Sequence, residues 1–123
     1  MEGYNRFMQL SQMPPASIVN SPETYQRMLA HLATQDTIAI DTESNSLHAY
    51  HERVCLIQLS SQERDFLLDP FVFNDLSELG ALFARTDIQK IFHAGDYDIG
   101  CLKRDFDFTI HNVFDTMIAA TAL

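Results

Sequence analysis

With 123 residues, the chain has room for one domain with a real core and no more. Its 46% hydrophobic content excludes a disordered polypeptide, and no stretch approaches the ~20 apolar residues of a membrane-spanning helix. A net charge of −9, from 17 acidic against 8 basic residues, argues against a general nucleic-acid binder, whose phosphate contacts come from Lys and Arg. Carboxylates that hold cations escape that argument, because they count as negative only until the ions bind.

Residues 1–16, with Pro14-Pro15 near their end, form a lead-in without an apolar run, so no signal peptide is expected and a cytoplasmic location follows. Cys55 and Cys101 have apolar neighbours and are expected as buried thiols of a reducing compartment. Ser17-Ile18-Val19 is a candidate edge strand. Ser21 followed by Pro22 is a good helix start. Tyr25, Met28, Leu29 and Leu32 then fall at i, i+3, i+4 and i+7, one buried stripe of a helix predicted over 22–34. Strands are predicted over 37–42, 53–60 and 64–69, the last broken by Asp69-Pro70. Leu76, Leu79, Leu82 and Phe83 predict a helix near 74–85. A fourth strand over 88–93 leads to a helix from about 96 to 105, with Ile99, Leu102 and Phe106 inward. A fifth strand near 108–113 precedes a last helix opening at Asp115-Thr116. Closely connected strands followed by alternating helix and strand predict an α/β domain over 17–123, a mixed five-stranded sheet flanked by helices.

Within this frame the chemistry concentrates at Asp41-Thr42-Glu43. Side chains alternate along a strand, so Asp41 and Glu43 share one side, with Ile40 and Thr42 on the other. Two neighbouring carboxylates repel each other, and a fold tolerates them mainly with a cation between. A second acidic cluster, His93-Ala94-Gly95-Asp96-Tyr97-Asp98, follows the fourth strand. Carboxylates at the ends of two strands suggest a Mg²⁺ or Mn²⁺ site for phosphodiester chemistry. At ~3.6 residues per turn, Asp96 and Asp98 diverge by about 200° at the helix start. Asp98, four residues before Leu102, faces the sheet and is the third ligand candidate; Asp96 points outward and suits an N-cap.

Ile40-Asp41-Thr42-Glu43, the strand Val54–Leu59, Lys90–Ile99 and Phe114–Ala120 occur in the order of the motifs of a known family. The chain resembles the 3′–5′ exonuclease domain of the ribonuclease D family, in the DEDD superfamily with a ribonuclease H-like fold, over residues 17–123. The resemblance implies hydrolysis of phosphodiester bonds at the 3′ end of RNA or DNA, RNA ahead of DNA, with two Mg²⁺ or Mn²⁺ ions as cofactors. By the same resemblance Asp41 would bridge the ions, Glu43 would bind one and orient the attack, and Asp98 would act on the other. His93, with the backbone around Thr42 and Ser44, would contact the terminal nucleotide. Ions about 4 Å apart stabilise attacking and leaving oxygens together. The family's third motif, a Tyr followed by an Asp on a later helix, has no counterpart: Tyr4, Tyr25, Tyr50 and Tyr97 all precede its place. The domain is therefore expected to be partial and C-terminally truncated, with its last helices missing. Weak ion binding and slow turnover would follow, with a sheet face left open to self-association.

Blander readings stand beside these. Asp115 at a helix start reads as a cap rather than a substitute ligand. His48, His51 and His93 lack the spacing of a zinc site. Glu52, Asp65, Asp69, Asp75, Glu78 and Asp87 read as solvated, turn or cap residues. Phe66, Phe71, Phe73, Phe83, Phe92, Phe106 and Phe108 read as core rather than a base-stacking platform. The alternative function is a catalytically inactive remnant, a nucleic-acid or protein interaction module with the same fold. A phosphatase with an aspartate nucleophile would want a second Asp where Glu43 stands.

Overall fold

Ser21 begins the first helix as expected. Its side chain accepts from the Thr24 amide while the Thr24 hydroxyl accepts from the Ser21 amide, so orphan donors of the first turn are satisfied reciprocally. In the computed structural model, which describes residues 14–45 and 51–122, ten elements follow one another. They are β1 (Ser17–Val19), α1 (Pro22–Leu32), β2 (Thr37–Asn45), β3 (Arg53–Ser60), β4 (Asp65–Leu68), α2 (Ser77–Phe83), β5 (Gln89–Phe92), α3 (Asp96–Phe106), β6 (Val113–Asp115) and α4 (Thr116–Ala122), with a 3₁₀ turn at Pro70–Val72 before α2. The sheet has six strands in the order β1-β4-β3-β2-β5-β6. The central β2 pairs antiparallel with β3 and parallel with β5, and β1–β4 and β5–β6 are parallel edges. The sheet is mixed as expected. It holds six strands rather than five because Ser17–Val19 does pair, with Phe66–Leu68.

One face of the sheet carries the core. Ile38 and Ile40 of β2, Ile57 and Leu59 of β3, Phe66 and Leu68 of β4 and Phe92 of β5 pack with Met28 and Leu32 of α1, Leu79 and Phe83 of α2 and Leu102 of α3 in one cluster. Such removal of apolar surface from water is the main stabilising term. The opposite face presents Ala39, Asp41 and Glu43, all exposed, beside half-buried Leu56, Gln58, Leu67 and Ile91. No described helix is long and apolar enough to cross a membrane.

Several boundaries differ from expectation. β2 runs to Asn45 because β3 pairs with it that far, so Asp41 and Glu43 lie inside a strand rather than at its end. The register shifts between Glu43 and Ser44, leaving Cys55 as the extra residue of a bulge, half-buried rather than buried; Cys101 is buried and both thiols are free. The last strand is 113–115, not 108–113. Phe108 instead inserts edge-on against Phe83 at 5.5 Å between ring centroids, and left-handed Asp107 and Asn112 bracket the segment. α2 is shorter than predicted, since Asp75 accepts from the Ser77 amide and starts it there. Phe71 is exposed, turned out by the 3₁₀ turn that Asp69 caps.

A buried lysine was not foreseen. Lys90 is fully buried on the packed face of β5, and its ammonium donates to the carbonyls of Arg85, Ile88 (2.7 Å) and His111 (2.9 Å). Burial pushes its pKa down.

Candidate active site

β2 and β5 run parallel and pair only from Thr37 to Ala39 against Gln89 to Ile91. Beyond Ala39, no strand among the described residues pairs with β2 on that side, and the chain leaves β5 at Phe92, so the carboxyl ends border an open edge. Crevices at the carboxyl ends of strands are where α/β sheets place their sites. Asp41 and Glu43 lie along this edge on the open face, and both are exposed. The Asp41 carboxylate folds back onto the Thr42 amide at 3.0 Å. Thr42 and Ser44 point to the packed face, as their pairing with Ile57 and Val54 requires.

Asp98 enters from the packed side. It lies in the first turn of α3 and is 9% exposed, and the Thr42 hydroxyl donates to its Oδ1. The sequence assigned the inward face to Asp98 and the structure agrees. Asp96 is exposed, but it is not the N-cap. Gly95 holds that position and makes no side-chain cap.

The capping comes from a distance. The Asp115 carboxylate accepts from the amides of Ala94 (3.1 Å) and Gly95 (2.7 Å), and also from Met117 (2.9 Å) and Ile118 (3.3 Å) at the start of α4. One carboxylate thus caps α4 and pins the loop between β5 and α3. The Gly95 amide, with the other three, holds Asp115 below the usual carboxylate range. Thr116 adds a second tie, bonding His93 Nδ1 at 2.8 Å and donating to the Phe92 carbonyl at 3.3 Å. His93 is exposed at the exit of β5. Ala94 takes a left-handed φ of 54°, so the turn is sharp.

At the other end of α3, Asp105 takes the Val54 amide at 2.7 Å and pairs with Arg104 at 2.7 Å. These partners, Arg104 foremost, lower its pKa. The contact fixes α3 to the start of β3. Tyr97, exposed beside Asp98, bonds Glu52 and is pushed up to about 12.

The structure therefore borders the open edge of β2 with Asp41 and Glu43 from one face and Asp98 from the other, and sets His93 at the exit of β5. Ser44 Oγ is buried without a hydrogen-bond partner among the described residues, so neither hydroxyl of Thr42 and Ser44 faces the open side. His51 and His93 are exposed, and His48 lies outside the described residues. All-oxygen carboxylate donors suit a hard divalent cation. Among the described residues, however, no three His, Cys, Asp or Glu side chains converge on one point. Carboxylates from the two faces can meet only across the open edge. Sequence reasoning missed the Thr42–Asp98 bond and the loop-pinning by Asp115. Only the shared presence of Phe114-Asp115-Thr116 in the family pattern hinted at the latter.

Comparison with known proteins agrees with this architecture. A family model described as 3′–5′ exonuclease matches residues 16–123. The exosome complex exonuclease RRP6 of Saccharomyces cerevisiae is 34% identical over 106 residues, 85% of this chain and 14% of that protein. The catalytic core of RRP6 from Trypanosoma brucei, mutant C496S, superposes with a TM-score of 0.82 at 30% identity, covering 87% of this chain and 30% of that one. RNase D of Escherichia coli, an exoribonuclease involved in structured RNA processing, gives 0.80 at 27% identity, over 87% of this chain and 28% of its own. The chain spans 10–17% of the length of the curated relatives it matches. The chain belongs to the 3′–5′ exonuclease family, as a DEDD domain of the RRP6 and ribonuclease D type.

Proposed function

We propose that this chain carries out metal-dependent 3′–5′ exonuclease chemistry on RNA. The observation that carries the reading is the placement of Asp41, Glu43 and Asp98, all within family-matching segments, around the open edge at the carboxyl end of β2. RNA stands ahead of DNA because the Escherichia coli relative is an exoribonuclease. In this reading the three carboxylates hold Mg²⁺ or Mn²⁺, and the bound ions supply Lewis-acid stabilisation of phosphoryl charge and a water of lowered pKa. The protein's own part is to fix the donors and the loop. β2 fixes Asp41 and Glu43, the first turn of α3 fixes Asp98, and Asp115 with Thr116 holds the His93–Gly95 loop at the exit of β5, where it would contact the terminal nucleotide. The backbone of Thr42 and Ser44 offers the other nucleotide contact. The protein works in the cytoplasm, and self-association through the open sheet face belongs to the same reading; a compact monomer in sedimentation removes that part.

The test is Mn²⁺-dependent trimming of 5′-labelled single-stranded RNA and DNA, beside Asp41→Ala. A descending ladder that the variant loses supports the reading. A second reading, a catalytically inactive module of the same fold, is favoured by the separation of Asp98 from Asp41 and Glu43 on opposite faces. No ladder from folded protein selects it.

A further inference from the structure

We propose that Thr42 is a positioning residue for Asp98, its hydroxyl holding the carboxylate in the orientation used by the reaction; the inference rests on the exonuclease reading above. Strand alternation directs Thr42 to the packed face, where it is half-buried opposite Ile57. It therefore faces α3 rather than substrate. Its hydroxyl donates to Asp98 Oδ1 across 56 residues of sequence, joining β2, beyond the end of its pairing with β5, to the first turn of α3.

Three physical points favour a positioning role. A carboxylate only 9% exposed has lost most of its hydration and needs a donor. Thr42 supplies it, and Asp98 makes no other side-chain hydrogen bond among the described residues. A β-branched side chain is stiff at χ1, so the strand backbone sets the hydroxyl's direction. The bond occupies Oδ1 and leaves Oδ2 for another partner. Ser44, two residues on and on the same face, makes no such bond: its buried hydroxyl has no hydrogen-bond partner among the described residues.

The experiment compares Thr42→Val, which keeps the shape and removes the hydroxyl, with Thr42→Ser, which keeps the hydroxyl, in the full chain. Mn²⁺ binding followed by electron paramagnetic resonance is read beside kcat and KM on single-stranded RNA and the thermal midpoint. Partners that orient metal ligands typically contribute about 10- to 100-fold in affinity or activity. Thr42→Val is expected to weaken Mn²⁺ binding and lower kcat by that range with KM little changed, and Thr42→Ser to restore most of both. Thr42→Ala takes the place of Thr42→Val if that variant does not fold. A hydroxyl-free variant with wild-type Mn²⁺ affinity and kcat overturns the inference and leaves the exonuclease reading standing. So does a Ser variant as impaired as the hydroxyl-free one. A wild-type chain that neither binds Mn²⁺ nor trims RNA overturns both.

Discussion

Replacing Lys90 by Met perturbs the buried cation at the end of β5 remote from the carboxylates. The ammonium is fully buried and donates to three backbone carbonyls, those of Arg85, Ile88 and His111. They belong to the turn before β5 and the segment before β6, so one side chain ties three stretches of chain together. Met keeps a similar unbranched stem and offers no donor. Leaving a buried carbonyl without its donor costs about 1–3 kcal/mol, so three amount to about 3–9 kcal/mol. Removing the charge recovers several kcal/mol of ammonium desolvation. The difference is a destabilisation of about 2–4 kcal/mol, because the carbonyls are left without donors. For a domain of this size it lowers the thermal midpoint by roughly 10 °C. The assay is urea denaturation followed by circular dichroism, with equal slopes required of the two proteins. A Lys90→Met protein as stable as wild type, or more so, would refute the reasoning and mean that ammonium desolvation cancels its hydrogen bonds.

Two further outcomes follow from the loop that carries the second acidic segment. Asp115, through the Gly95 amide first, and Asp105, through Arg104 first, are both held below the ordinary carboxylate value of about 3.9. Each contribution is complete above that value and is lost as pH falls through the lowered folded value. The thermal midpoint should therefore drop steeply in this acid window, and Asp115→Asn should flatten part of the drop; a wild-type slope in that variant would contradict the assignment. Gly95→Ala should destabilise by about 1–3 kcal/mol, since a Cβ there would stand 2.3 Å from Phe92 Cβ and 2.6 Å from its Cγ. An unchanged denaturation midpoint would show that the loop has slack the structure does not suggest.

Local pattern revealed most of the scaffold. The cap at Ser21 and the stripe from Tyr25 to Leu32 are local signals, and α1 follows them closely. Features set by distant partners stayed hidden. β2 extends past Thr42 because β3 lies against it, and that pairing leaves no mark in the local alternation. Phe108 reads correctly as core, but the strand expected near 108–113 does not form there, and Phe108 packs edge-on against Phe83 outside any strand. Nothing in the local sequence marked Lys90 for burial, because only the fold gathers the three carbonyls that satisfy its ammonium. In the site, the DxE spacing and the inward face of Asp98 were legible. The Thr42 bond to Asp98 and the amides that Asp115 collects were not, since they join residues 56 and about 20 positions apart.

The central claim is that these carboxylates direct hydrolysis from the 3′ end of RNA. It is tested most directly by offering the protein, with Mn²⁺, the same single-stranded RNA labelled at its 3′ end and, separately, at its 5′ end, beside Asp41→Ala and Asp98→Ala. Removal from the 3′ end predicts immediate release of the 3′ label as a mononucleotide and a gradually shortening 5′-labelled ladder, both lost in each variant. Internal fragments, label release from the 5′ end first, or trimming that survives either substitution would contradict it.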